Sequence, residues 1–123
     1  VLWMGSDRKI YCVPNACPHQ GAALSSGTVS GGNIQCSYHG WEFNGKGKCV
    51  KIPALVEGEQ IPLKACLTSY PVTVQDGIVW MSPDYNNPPS ESLVPRTSLA
   101  SETAIMEGFD YVRDVDAQWL ACV

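Results

Sequence analysis

Short apolar runs separated by Gly- and Asp-rich turns recur along most of the chain. Val1–Met4 and Ile10–Val13 flank the polar Gly5-Ser6-Asp7-Arg8-Lys9, a pattern that predicts a hairpin. Thr28-Val29 and Asn33–Gln35 flank Gly31-Gly32 and predict a second one. A third runs from Trp41–Asn44 through Gly45-Lys46-Gly47 to Lys48–Ile52. Between the first two, Pro14 and Pro18 exclude a helix from the segment Pro14–Leu24. Leu55–Lys64 is a looser stretch, after which Thr68–Gln75 alternates as a strand, Asp76-Gly77 turns and Ile78–Met81 returns. The pattern predicts a small, antiparallel, all-β fold without internal repeat.

The composition changes at Ser82, where Pro83, Pro88, Pro89 and Pro95 sit among Asn and Ser, the chemistry of a linker. The expected organisation is a β domain over 1–82, a Pro/Ser-rich linker over 83–102 and the start of a second, truncated domain over 103–123. In that last piece Gly108–Val115 reads as a strand, and Asp116 caps a helix with Trp119, Leu120 and Val123 on one side. The apolar pattern is already under way at Val1 and still running at Val123, so the chain is expected to be a fragment with a truncated first strand.

With 123 residues, 45% hydrophobic and 16% charged, the chain suits one packed domain rather than disorder or two full domains. Its net charge of −4, with no basic run longer than Arg8-Lys9, argues against nucleic acid and against a polybasic membrane anchor. No apolar run approaches the ~18 residues of a membrane span. Of six Cys, Cys12, Cys49, Cys66 and Cys122 lie among apolar neighbours and read as buried free thiols kept in a reducing compartment.

The remaining two Cys accompany the only two His. Cys17-Pro18-His19 is followed after sixteen residues by Cys36-Ser37-Tyr38-His39. Each segment contributes one thiolate and one imidazole. Two thiolates suit one iron of a [2Fe–2S] cluster, and two neutral imidazoles suit the other. Replacing two thiolates by imidazoles removes negative charge and lifts the potential above that of an all-Cys ferredoxin. The competing reading is structural zinc on the same four residues, although the one-residue Cys-x-His gap is tight for it.

Cys17-Pro18-His19-Gln20-Gly21-Ala22-Ala23-Leu24 with Cys36-Ser37-Tyr38-His39-Gly40-Trp41-Glu42-Phe43 resembles the Rieske domain of Rieske non-haem iron oxygenases, and the resemblance runs from Val1 to about Met81. The run Gly45–Pro53 is similar to the branch containing pheophorbide a oxygenase, chlorophyllide a oxygenase and a related inner-envelope Rieske protein of plastids. The resemblance implies a Rieske-type β-sandwich with the two cluster loops at one tip. It also implies a [2Fe–2S] cluster on Cys17, His19, Cys36 and His39, with His19 and His39 as its exposed edge. For the longer protein it implies an oxygenase with mononuclear non-haem Fe(II) on a separate domain, a ferredoxin or reductase as electron donor, a homotrimer, and a chlorophyll-type tetrapyrrole substrate. The compartment follows the source, a plastid for a plant or alga and the cytoplasm for a bacterium.

Two departures separate the chain from Rieske proteins of cytochrome bc complexes. Ala22 and Tyr38 stand where those proteins carry disulfide-forming Cys, and Trp41 and Phe43 where they carry Ser and Tyr hydroxyls. The potential is therefore expected near the low end of the Rieske range, about −150 mV rather than +300 mV. Trp41 is read equally as a shield over the cluster and as a core aromatic. Gly21 and Gly40 are read equally as openings for N–H groups toward sulfur and as ordinary turn residues. Lys46, Lys48 and Lys51 form a solvated face able to meet an acidic donor. Asp114 and Asp116 read as solvated or capping carboxylates.

Both His are used at the cluster site, so the chain's own role is electron relay to an iron held by two His and a carboxylate elsewhere. The alternatives are a stand-alone Rieske ferredoxin, which would not need the residues after Met81, and a structural zinc module.

Overall fold

The computed structural model describes residues 1–56, 58–86 and 94. Among the described residues eight short strands form three antiparallel sheets. β1 (Leu2–Met4) pairs with β2 (Ile10–Cys12), and β7 (Val72–Gln75) pairs with β8 (Ile78–Met81). Between them in the sequence comes a four-stranded sheet in the order β3 (Thr28–Ser30), β4 (Asn33–Gln35), β5 (Glu42–Phe43) and β6 (Cys49–Lys51).

Register in the central sheet follows from its side chains. Ile34, Phe43 and Cys49 face one another across β4, β5 and β6 and are 3%, 0% and 0% exposed. The next row, on the opposite face, is polar. Gln35 Nε2 donates to Glu42 Oε1 at 3.0 Å, and Lys51 Nζ meets the same oxygen at 2.9 Å. A slip of one residue would turn Phe43 outward and bury Glu42, so the alternation pins the pairing.

The first sheet closes onto this core through Trp3, whose indole N–H donates to the Gly32 carbonyl at 2.9 Å, while Leu2 and Met4 on either side stay exposed. Tyr70 N–H bonds the Cys12 carbonyl at 2.9 Å, tying the last hairpin to β2. Leu67 N–H bonds Gly47 O at 2.7 Å and holds the segment after the 3₁₀ turn Leu63–Ala65 against the turn between β5 and β6. Trp3, Val13, Cys17, Leu24, Ile34, Cys36, Phe43, Cys49 and Ala65 make one buried cluster.

The all-β expectation and the positions of the four hairpins agree with this architecture. The strand expected over Thr68–Gln75 is shorter, because Pro71 has no N–H to continue the ladder beyond the Tyr70–Cys12 bridge. Two 3₁₀ turns, Leu24–Ser26 and Leu63–Ala65, were not foreseen. Of the expected linker only 83–86 and the buried Val94 are described. The strand expected at Gly108–Val115, the helix after Asp116, and with them Asp114 and Cys122, lie outside the described residues. Among the described residues no helix is long and apolar enough to cross a membrane.

Candidate metal centre

The four candidate donors sit on two loops with the same backbone. In the first, Cys17 N–H bonds Ala22 O at 2.8 Å and Gly21 N–H bonds Cys17 O at 2.8 Å. In the second, Cys36 N–H bonds Trp41 O at 2.8 Å and Gly40 N–H bonds Cys36 O at 3.0 Å. Each loop closes on a glycine in the left-handed region, φ 75° at Gly21 and 70° at Gly40, a conformation that costs an L side chain roughly 1–2 kcal/mol. These glycine N–H groups are taken by the cysteine carbonyls, which favours the turn reading of both positions. The histidine is offset, two residues after the cysteine in one loop and three in the other.

The donors separate by kind. Cys17 and Cys36 are 3% and 2% exposed, whereas His19 and His39 face solvent. The imidazoles meet edge-on, 4.7 Å between ring centroids and 67° between planes. Burial pushes the Cys17 thiol up from its ordinary pKa, main-chain N–H groups of His19 and Gln20 at its sulfur oppose this, and the adjacent Cys36 raises it further. A desolvated thiol such as that of Cys17 ionises at small cost only beside a cation, while the N–H groups already favour its thiolate.

Among the described residues no three His, Cys, Asp or Glu side chains converge as a single ion would require. Two thiols and two imidazoles are the donor chemistry that a [2Fe–2S] cluster with mixed ligation takes.

The loops carry aromatic cover. Trp41 stacks on His19 with centroids 4.6 Å apart and planes 8° apart, and also packs, half-buried, against the core. The core reading of this residue therefore agrees with the structure, and its ring also lies on a candidate donor. Tyr38 lies 3.9 Å from His39, tilted by 41°. His19 and Trp41 line a cavity of about 340 Å³ with Pro18, Pro62, Lys64 and Ala65. Sequence reasoning missed the contribution of the 3₁₀ turn to this wall, and Pro62 ahead of an apolar residue was the only signal for it. A larger cavity of about 530 Å³ lies among Arg8, Tyr11, Gly45, Lys46 and Tyr70, and no Cys or His lines it.

Lys46 and Lys48 are exposed, whereas Lys51 pairs with Glu42. Cys12 and Cys49 are buried free thiols, and Cys66 is a half-buried one. Ala22 and Tyr38 leave no cysteine with which to bridge the loops.

A small antiparallel β fold presenting two such loops is the architecture of an iron–sulfur electron-transfer domain. The chain belongs to the Rieske [2Fe–2S] domain family, whose pattern it matches over residues 1–71. It is 40% identical over 95 residues to "Protein TIC 55, chloroplastic" of Pisum sativum, covering 77% of this chain and 17% of that protein. It is 40% identical over 93 residues to "Chlorophyllide a oxygenase, chloroplastic" of Arabidopsis thaliana, covering 76% of this chain and 16% of that one. Among solved structures, dicamba monooxygenase bound to dicamba matches with a TM-score of 0.68 and 33% identity, over 76% of this chain and 28% of that chain. The chain thus spans a small part of the length of these relatives.

Proposed function

We propose that Cys17, His19, Cys36 and His39 hold the Rieske [2Fe–2S] cluster, and that the chain is the electron-transfer part of a longer Rieske-type oxygenase. The carrying observation is the division of donors between two loops of one backbone geometry, a buried thiol pair and an exposed imidazole pair. A cluster bound there supplies one-electron chemistry at a potential above that of an all-thiolate centre.

The protein's part is to hold, orient and insulate. The buried thiols and the core behind them keep water from one side, and main-chain N–H groups stabilise negative charge on the Cys17 sulfur. The exposed imidazoles mark where electrons enter and leave. Because both His of the chain are assigned there, a two-His, one-carboxylate iron belongs to a further part of the longer protein. A ferredoxin or reductase is the donor in this reading, that iron is the acceptor, and a homotrimer brings donor and acceptor domains together. The likeness to chlorophyllide a oxygenase makes a chlorophyll-type tetrapyrrole the first substrate class to assay with the full-length protein.

The assignment is tested by iron and sulfide analysis and by electron paramagnetic resonance of the reduced full-length protein. Two irons and two sulfides per chain are expected, with nitrogen couplings that vanish stepwise in His19→Ala and His39→Ala. A colourless zinc protein, or a cluster unaffected by both variants, would overturn the ligand set.

A further inference from the structure

The cluster's approachable edge is the imidazole pair, because the two thiols behind it are buried. Electron tunnelling weakens steeply with distance, so a redox partner gains most by covering that edge. The surroundings of the two rings differ. The exposed His39 ring has Tyr38 beside it at 3.9 Å, whereas the exposed His19 ring lines the cavity of about 340 Å³ walled by Pro18, Trp41, Pro62, Lys64 and Ala65.

Its outer wall is the 3₁₀ turn, held by Ala65 N–H to Pro62 O at 2.9 Å and Cys66 N–H to Leu63 O at 3.0 Å. Ala65 is buried, which anchors the turn, while Leu63 is 90% exposed, more than any other large hydrophobic residue among those described. An apolar side chain fixed on a rigid turn and left in water is what a protein interface uses as an anchor. Charge completes the picture. Neither loop, 17–22 or 36–41, contains Asp, Glu, Lys or Arg, and Lys64 is the one charged residue lining the cavity. The one charge on the cavity's lining is therefore positive in an otherwise acidic chain, with an apolar knob beside it.

We propose that Pro62, Leu63 and Lys64, with Trp41 and His19 as the floor, form the docking surface for an acidic one-electron carrier protein that reduces the cluster. The inference rests on the electron-relay reading and adds where the donor binds. A carboxylate of the donor pairs with Lys64 and its apolar rim receives Leu63. The donor's cofactor then faces the His19 ring through a contact small enough to release after each electron.

The test uses the full-length protein with its cluster loaded and a plant-type [2Fe–2S] ferredoxin as the acidic probe. Reduction is followed by stopped flow over a range of salt. In Lys64→Glu the second-order rate constant should fall about fivefold at low salt, and the difference should shrink as salt screens it. Lys64→Arg should restore the rate, and Leu63→Ser should lower it by a factor that salt does not change. Reoxidation of the pre-reduced protein in air and the resonance spectrum should match the wild type in every variant. An unchanged ferredoxin rate in both Lys64→Glu and Leu63→Ser would overturn the proposal. So would slowed reoxidation alone, which would make this surface the outlet, or a change in oligomeric state, which would assign it to a second copy of the chain. Absence of a cluster signal in the wild type would instead defeat the underlying relay reading.

Discussion

Replacing Phe43 by Tyr tests whether missing hydroxyls hold the potential low. Phe43 is 0% exposed and shares one core with Cys17 and Cys36. The nitrogen donors at the Cys17 sulfur are main-chain N–H groups, and neither Trp41 nor Phe43 carries a hydroxyl. A phenolic O–H reaching a sulfur gains strength when reduction adds negative charge. With about 1 kcal/mol of preference for the reduced state and about 59 mV per tenfold for a one-electron couple, the midpoint should rise by roughly 40 mV. The wild-type value should itself lie near −150 mV. A hydroxyl that finds no partner at so buried a site would destabilise by about 1–3 kcal/mol instead. The assay is a spectroelectrochemical titration of both proteins, alongside thermal loss of the cluster's visible absorption at one heating rate. An unmoved midpoint in a well-folded Phe43→Tyr protein, or a wild-type midpoint above about +100 mV, would refute the reasoning.

Gly21→Ala should lower the apparent unfolding temperature through the left-handed backbone alone, about 1–2 kcal/mol, because a Cβ there meets nothing within 4 Å. Gly40→Ala should fall further, since its Cβ lies 3.1 Å from Pro53 Cγ, and equal losses in a thermal melt would argue against that contact. The Tyr11 hydroxyl donates to Asp7 Oδ2 at 2.7 Å, and this bond with the Lys9 N–H holds the Asp7 carboxyl below the usual carboxylate range. A depressed carboxylate adds stability above its unfolded pKa and loses it as pH falls through the folded one. Tyr11→Phe should therefore move the Asp7 titration upward, read by nuclear magnetic resonance, and weaken that acid dependence. A titration that stays in place would show that the Tyr11 bond contributes nothing.

Turns and the two loops of candidate donors were legible in the sequence because each depends on a few residues close together. Gly31-Gly32 and Asp76-Gly77 specify their hairpins locally, and the interleaved Cys and His announce two ligand loops wherever the strands fall. Strand ends were less legible, since Pro71 and the single bridge at Tyr70 decide them through a partner strand distant in the chain. The 3₁₀ turn at Leu63–Ala65 was hidden inside a stretch without periodicity, and only its packing beside His19 gives it meaning. Trp41 illustrates the limit of residue-by-residue reading. Its spacing allowed either core or cover, and a ring of that size reaches both.

The stack of Trp41 on His19 bears on speed as well as shielding. A donor or acceptor must adjust its surroundings each time charge arrives or departs, and that reorganisation energy is a large part of an electron-transfer barrier. An imidazole clamped face to face at 4.6 Å, on a loop cross-linked by two main-chain hydrogen bonds, has little room to rotate. The matching bonds in the second loop restrain His39 through its backbone. With the cluster held as proposed, such restraint would present nearly the same frame to its oxidised and reduced forms, so that a small difference in potential would suffice to drive the electron onward.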